Sequence, residues 1–313
     1  MRTAFYTHAA CARHDMGPGH PESPQRLAAI SDHLIATGLD IALQRRDAPL
    51  ASDADLGLAH ELGYIAEMRA FLQQIEKTGL RRAFDADTVG SRGTLEAVLR
   101  AAGAAVAATD AVLNGEVHNA FCAVRPPGHH ATRRQAMGFC FVNNVAVAAR
   151  HALDRRGLER VAIVDFDVHH GNGTEDIVAG DKRILMLGFF QHPLYPHSGI
   201  VPLGDNIHNF PVAPYTKGPE IRERIREEWT PRLDAFKPQM LFLSAGFDAH
   251  RDDDLGQLGL VEADYAWITQ YLVDVAARHA KGRIVSLLEG GYNLGALARS
   301  VAAHLRVLAG VAA

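Results

Sequence analysis

The sequence has no basic tract. Its 32 lysines and arginines stand against 36 acidic residues, and the formal charge of -4 is spread along the chain in both signs. No nucleic-acid footprint is therefore expected, because that needs clustered cations. No apolar run reaches the roughly 20 residues of a membrane-spanning helix, so no membrane partner is expected. The N-terminus, "MRTAFYTHAACARHD", lacks the charged and then apolar segments of a secretory signal. Only three cysteines are present, Cys11, Cys122 and Cys140, and none lies in a C-x-x-C. They read as reduced thiols of a cytoplasmic protein. Repeats, low-complexity tracts and long linkers are also missing, so residues 1–313 read as one domain.

What is present is a large apolar fraction, 48%, and 17 histidines. Short β-rich runs at 3–6, 120–124, 160–165, 184–187, 240–244 and 283–288 read as strands. They alternate with helical stretches at 24–37, 94–113, 143–156, 219–236, 262–280 and 295–308. The strand runs are apolar on both faces, as in a parallel sheet covered by helices. The alternation predicts an α/β fold, doubly wound, with ligands at the carboxyl ends of the strands.

The polar residues fall where that rule places a site. "AFCAV" runs into "RPPGHH", "VAIV" into "DFDVHHGNG", "MLFLSAG" into "FDAHRDD" and "IVSLL" into "EGGYN". Four strands that end in such loops at one sheet edge build one polar site. In the second loop Asp165, Asp167 and His169 alternate, so they share a face if the strand persists that far. Carboxylates so close repel unless a cation or donor stands between them. One imidazole with carboxylates suits zinc, and Asp248 of the "AGFD" loop is a candidate third ligand beside an open position. The alternative is a hydrogen-bonded aspartate network at a helix N-terminus. His129 and His130 fit bases beside a metal-bound water, each oriented by a carboxylate or amide. A purely structural pair is the other reading.

These residues resemble the histone deacetylase superfamily, the zinc-dependent deacetylases that include acetylpolyamine amidohydrolases and bacterial deacetylase-like amidohydrolases. The matching stretches are "GHPESPQR", "RPPGHHA", "GFCFVNN", "DFDVHHGNGT", "SAGFDAH" and "LEGGYN", in that order across residues 19–293. "GHPESPQR" and Asn172 make the resemblance class II-like. It implies an arginase/deacetylase-like fold, a mostly parallel sheet flanked by helices. It also implies one catalytic zinc (or ferrous iron) on Asp167, His169 and Asp248. His130 matches the general base and acid, oriented by Asn172, and His129 pairs with Asp165. Tyr292 matches the oxyanion-stabilising tyrosine. Gly138 and Phe139 match one wall of the acyl-lysine tunnel and Tyr195 the opposite wall. Arg26 resembles an arginine of an internal channel. A structural potassium ion near Asp165 and His169 is implied too, although "LMLGFFQH" departs from the usual serine-leucine-histidine pattern there.

The implied reaction is amide hydrolysis. Its substrate is an acetylated lysine peptide or protein, or a small acetylated amine such as an acetylpolyamine. Aligning "DDLG" on the family's loop places Leu255 where polyamine-selective members carry a glutamate. That predicts a preference for acyl-lysine, unless Asp252, Asp253 or Asp254 reaches the mouth. A binuclear manganese ureohydrolase is the nearest rival, because "DAHRD" reads like a D-x-H-x-D metal motif. A non-catalytic acyl-lysine binding module is a second rival, and Tyr292 with three ligands argues against it. A homo-oligomer is compatible with the sequence.

Overall fold

The computed structural model describes residues 2–311. Its main sheet has eight strands: β1 (Thr3–Thr7), β2 (Leu43–Asp47), β5 (Asn119–Cys122), β6 (Val161–Asp165), β7 (Ile184–Gln191), β8 (Ile207–Val212), β9 (Leu241–Ala245) and β10 (Ile284–Leu288). Their order is β2-β1-β5-β10-β9-β6-β7-β8, and each pairing is parallel. A separate antiparallel pair, β3 (Arg82–Ala83) and β4 (Val89–Gly90), encloses residues 84–88. The expected mostly parallel α/β sheet is thus present.

The helices are α1 (Gln25–Ala36), α2 (Asp53–Leu56), α3 (Leu62–Thr78), α4 (Thr94–Leu113), α5 (Asn144–Asp154), α6 (Asn172–Val178), α7 (Gly218–Arg224), α8 (Thr230–Phe236), α9 (Glu262–His279) and α10 (Leu294–Ala309). α4 and α5 pack together and against the central strands, while α1 and α9 both pack on α10. Strands β5, β6, β7, β9 and β10 are buried at every residue, as their unbroken apolar runs require. The single helix expected over 219–236 is instead interrupted. A π-helical turn at Ile225–Trp229 separates α7 from α8 and turns Trp229 into the core against Phe189. Among the described residues no helix is long and apolar enough to cross a membrane.

Strand order positions the site. β5 and β6 are consecutive in the chain but stand three places apart, with β10 and β9 between them. The register sets Asp165 beside Ser244, and Leu287 beside both Ser244 and Cys122. The carboxyl ends of these four strands are therefore level and adjacent, the place where such sheets bind ligands.

Candidate active site

Asp167, His169 and Asp248 come together there. All are buried, and one ligand atom from each lies within 4.8 Å of the others. The alternation expected through His169 does not hold, because β6 stops at Asp165. Two short side-chain-to-backbone turns take over. Asp165 Oδ1 accepts the Asp167 N–H at 3.1 Å, and Asp167 Oδ1 accepts the His169 N–H at 2.9 Å. Asp165 is consequently outside the ligand group and faces His129. His169 Nδ1 lies 3.0 Å from Asp167 Oδ1 and 3.2 Å from Asp248 Oδ2. Asp248 Oδ1 accepts the Val168 N–H at 2.9 Å, and Asp167 Oδ2 accepts the Gly290 N–H at 2.8 Å. Gly290 has to be glycine, since a Cβ there would lie 1.9 Å from Asp248 Oδ2.

The electrostatics suit a cation. Burial, with the Asp167 charge beside it, pushes Asp248 up to about 7. Asp167 is held well below the carboxylate range, against burial, by His129 and His169. Burial lowers His169, but the adjoining Asp167 and Asp248 carboxylates outweigh it and raise it to about 10. One carboxylate kept ionised while its neighbour is pushed toward neutrality is how two buried acids divide their charge without a cation between them. Asp248 Oδ2 is buried and makes no hydrogen bond. Two carboxylates and one imidazole are a donor set for a divalent ion such as zinc.

The tandem histidines are held differently. His129 Nδ1 lies 3.0 Å from Asp165 Oδ2, and its Nε2 is 3.8 Å from Asp167 Oδ1. Burial works against a charged His129, but the Asp167 and Asp165 carboxylates outweigh it and hold the imidazole well above its usual range. His130 Nδ1 lies 2.7 Å from Asn172 Oδ1. With that amide oxygen accepting, the His130 proton sits on Nδ1 and Nε2 keeps a free lone pair. Burial pushes His130 well below its usual range, and His129 and His169 add to the effect.

Tyr292 comes from the β10–α10 loop, Tyr195 from the β7–β8 loop, and Phe139 from the same β5–α5 loop as the tandem histidines. The Tyr292 ring stands edge-on to Phe139, with centroids 5.9 Å apart, and the Arg26 guanidinium lies 5.0 Å from its centroid. Burial, reinforced by Asp248, pushes the Tyr292 hydroxyl well above its usual range. Phe139 also meets His20 at 4.7 Å. Its backbone is left-handed, φ 69°, and follows Gly138 at φ 58°. A Cβ on Gly138 would lie 2.3 Å from the His130 ring, so this turn needs glycine twice over. Asp87 Oδ1 accepts the Gly138 N–H at 2.9 Å and Thr88 Oγ1 accepts the Phe139 N–H at 3.1 Å. Tyr195 stands edge-on to His130 at 5.2 Å and to His169 at 6.2 Å. Burial and the facing Asp87 carboxylate push its hydroxyl up.

Leu255 is not drawn into this cluster. It is half-buried, and its N–H donates to Asp253 Oδ1 at 3.1 Å. Of the three aspartates before it, Asp252 pairs with Arg299 and Arg251, Asp253 turns inward, and only Asp254 is exposed without a recorded partner. His250 of "DAHRD" faces Asp252 and Glu262, away from the ligand group, so a second metal set is not assembled among the described residues. Beside Asp165, β7 places Gly188, followed by Phe189 and Phe190.

Sequence reasoning missed several supports. Glu289 is buried, and its Oε2 accepts the N–H groups of Gly128 at 2.7 Å and His129 at 3.1 Å. Ser244 donates to its other oxygen at 3.2 Å, and burial pushes the carboxyl up to about 7. A lone acid directly after the apolar run "IVSLL" was the available signal. Glu22 is fully buried between Arg125 and Arg26, and Arg26 Nε donates to the Gly291 carbonyl at 2.6 Å. Asp87 and Thr88 lie in an otherwise unremarked hairpin and carried no pattern.

A profile of the histone deacetylase domain matches residues 20–308. The histone deacetylase-like amidohydrolase of Pseudomonas aeruginosa is 36% identical over 93% of this chain and 82% of its own length. Polyamine deacetylase HDAC10 of Mus musculus is 37% identical over 92% of this chain and 45% of its own length. The crystal structure of the HDA15 HD domain superposes with a TM-score of 0.92 at 32% identity, covering 99% of this chain and 88% of that one.

Proposed function

Since the chain belongs to the histone deacetylase family, we propose that it is a zinc-dependent deacetylase acting on acetyl-lysine or a related acetylated amine. The observation that carries this reading is the buried group of Asp167, His169 and Asp248, with Asp248 Oδ2 left without a hydrogen bond. Asp167, His169 and Asp248 would hold zinc, or ferrous iron in its place, which would supply a Lewis acid for the acetyl carbonyl and lower the pKa of a bound water toward ~7. His130 takes the water proton on Nε2 and returns it to the leaving amine, while Asn172 keeps the ring oriented. His129, paired with Asp165, places a second imidazole beside the reacting carbonyl. The Tyr292 hydroxyl donates to the oxyanion, an interaction worth roughly 3–4 kcal/mol by analogy with other oxyanion donors. Phe139 and Tyr195 flank the alkyl chain and keep water from it.

An acetylpolyamine is the second substrate reading. It is supported by the mouse polyamine deacetylase, 37% identical to this chain, and by the exposure of Asp254. The test is a panel of acetyl-lysine tripeptide, acetylputrescine and acetylspermidine on protein with measured zinc content, before and after chelation. Turnover of at least one substrate that is lost on chelation and restored by zinc is expected. Undiminished turnover by fully demetallated protein overturns the metal reading. A higher kcat/KM for the polyamines overturns the acyl-lysine preference.

A further inference from the structure

Asp253 lies in the loop between β9 and α9 and is buried. Its carboxylate accepts three main-chain N–H groups. Oδ1 takes Leu255 at 3.1 Å, and Oδ2 takes both Tyr292 at 2.6 Å and Asn293 at 2.9 Å. One side chain from the β9 loop thus closes on the main chain of the β10 loop at the tyrosine itself. The residues before Tyr292 add no side chain to hold it. They are Gly290 and Gly291, the latter at φ 122°, and glycine has the widest conformational range. The residue after it, Asn293, is committed to capping α10, with its Oδ1 accepting the Ala296 N–H at 3.0 Å. On the other flank Arg26 holds the Gly291 carbonyl. Tyr292 therefore stands between a diglycine, tied at Gly290 to Asp167 and Phe247, and a helix cap, and Asp253 is the side chain that grips its N–H.

We propose that Asp253 is a positioning residue that sets the Tyr292 hydroxyl for oxyanion stabilisation by holding the main chain of residues 292 and 293. This rests on the reading of Tyr292 as the oxyanion donor. It also assigns a role to an aspartate that the sequence places in an undifferentiated triplet. An ionised carboxylate suits the task, because charge-assisted acceptance of several N–H groups is both short and directional. Asparagine at the same position presents one oxygen and one NH2, so at least one of the three N–H groups loses its acceptor.

A double-mutant cycle tests it, using zinc-loaded full chain and an acetyl-lysine peptide. Tyr292→Phe alone is expected to lower kcat by about 10²–10³. Asp253→Asn alone is expected to lower kcat by about 10- to 100-fold with KM changed less than about threefold and zinc still bound, the range typical of residues that orient a catalytic group. In the Tyr292→Phe background, Asp253→Asn is expected to cost less than about threefold more, because the group it positions is gone. Asp253→Ser, which keeps one acceptor, is the second variant should the asparagine form misfold, and is expected to show the same non-additivity. A kcat loss from the Asp253 variants that is equal in both backgrounds overturns the proposal, as does an unchanged kcat. Loss of zinc from both variants also overturns it, since the residue then serves the Asp248 loop instead. If Tyr292→Phe itself leaves kcat unchanged, the reading of Tyr292 fails, and the positioning role fails with it.

Discussion

At the floor of the site, Asp165, Asp167, Asp248 and Glu289 each answer a main-chain N–H, and all but the Asp165 bond cross to a different loop. The donors come from the ends of several strands, and all four acids are buried. The mouth is held differently. Gly138 and Phe139 are fixed by Asp87 and Thr88, two adjacent residues of one short hairpin, and Phe139 and Tyr195 are only half-buried. A change at the floor disturbs donors on several strands at once. A change at Phe139 reaches one loop and the hairpin that holds it. On the proposed function the contrast would separate chemistry from selectivity, the first resting on a shared lattice of hydrogen bonds and the second on walls held by fewer contacts.

The sharpest way to break this contrast is Asp248→Asn. It removes one of the two ligand charges while keeping the shape. The variant is expected to lose zinc and fall to background activity, measured by metal stoichiometry and peptide turnover. Full zinc retention with parental turnover would show that the floor tolerates what the contrast forbids. Next in size is His130→Ala, expected to lower kcat by about 10²–10⁴ if His130 is the general base as proposed. His129→Ala is expected to cost less, and only the His130 variant should lose the acidic limb of the pH–rate profile. Equal behaviour of the two would dissolve the division of roles.

Phe139→Ala addresses the mouth. It is expected to lower kcat/KM for acetyl-lysine peptide about tenfold, a loss of roughly 1.4 kcal/mol, chiefly in KM and with zinc content unchanged. A change in metal content would mean that mouth and floor are not separate. The last effect is on stability rather than turnover and concerns the underside of the floor. His304 lies there between Phe166 and Phe247, bonded to Thr269 and Ser286, and burial lowers it to about 3. Below the ordinary value of ~6.5 the unfolded chain takes up a proton that the folded chain refuses until about pH 3. The stability this group contributes is therefore complete above ~6.5 and declines as pH falls, by about 2 kcal/mol at pH 5. His304→Gln should flatten that part of the stability curve in urea titrations at pH 7 and pH 5. Parallel curves would mean that the imidazole is charged in the fold.

The same contrast marks what the sequence discloses. The four central strands read correctly because burial on both faces leaves an unbroken apolar run, and their loops announced the floor. The outer strands did not read. β2 is "LQRRD", an edge strand dressed in charge, and β8 contains Pro211, which suits an edge but weakens a strand pattern. Helix α3 did offer a signal, with Tyr64, Ile65, Met68, Leu72 and Ile75 buried at helical spacing before Gly79. Nothing local distinguishes the three aspartates at 252–254. Which of them turns inward is decided by the Tyr292 loop, some 40 residues away in sequence. The π-helical turn is likewise set by where Trp229 must pack, a tertiary demand.

The strand order also has a meaning for how the chain assembles. β9 and β10 are synthesised last, yet they occupy the middle of the sheet, between β5 and β6. A growing chain that has reached α8 owns Asp167, His169 and both tandem histidines, but two open strand edges face each other across the gap. Such edges are prone to wrong pairing until they are filled. Insertion of β9 brings Asp248, and β10 then closes the sheet and delivers Tyr292. Contacts between segments so distant in sequence form slowly. Asp248 therefore joins Asp167 and His169 only with β9, and Tyr292 only with β10, the last strands of the chain.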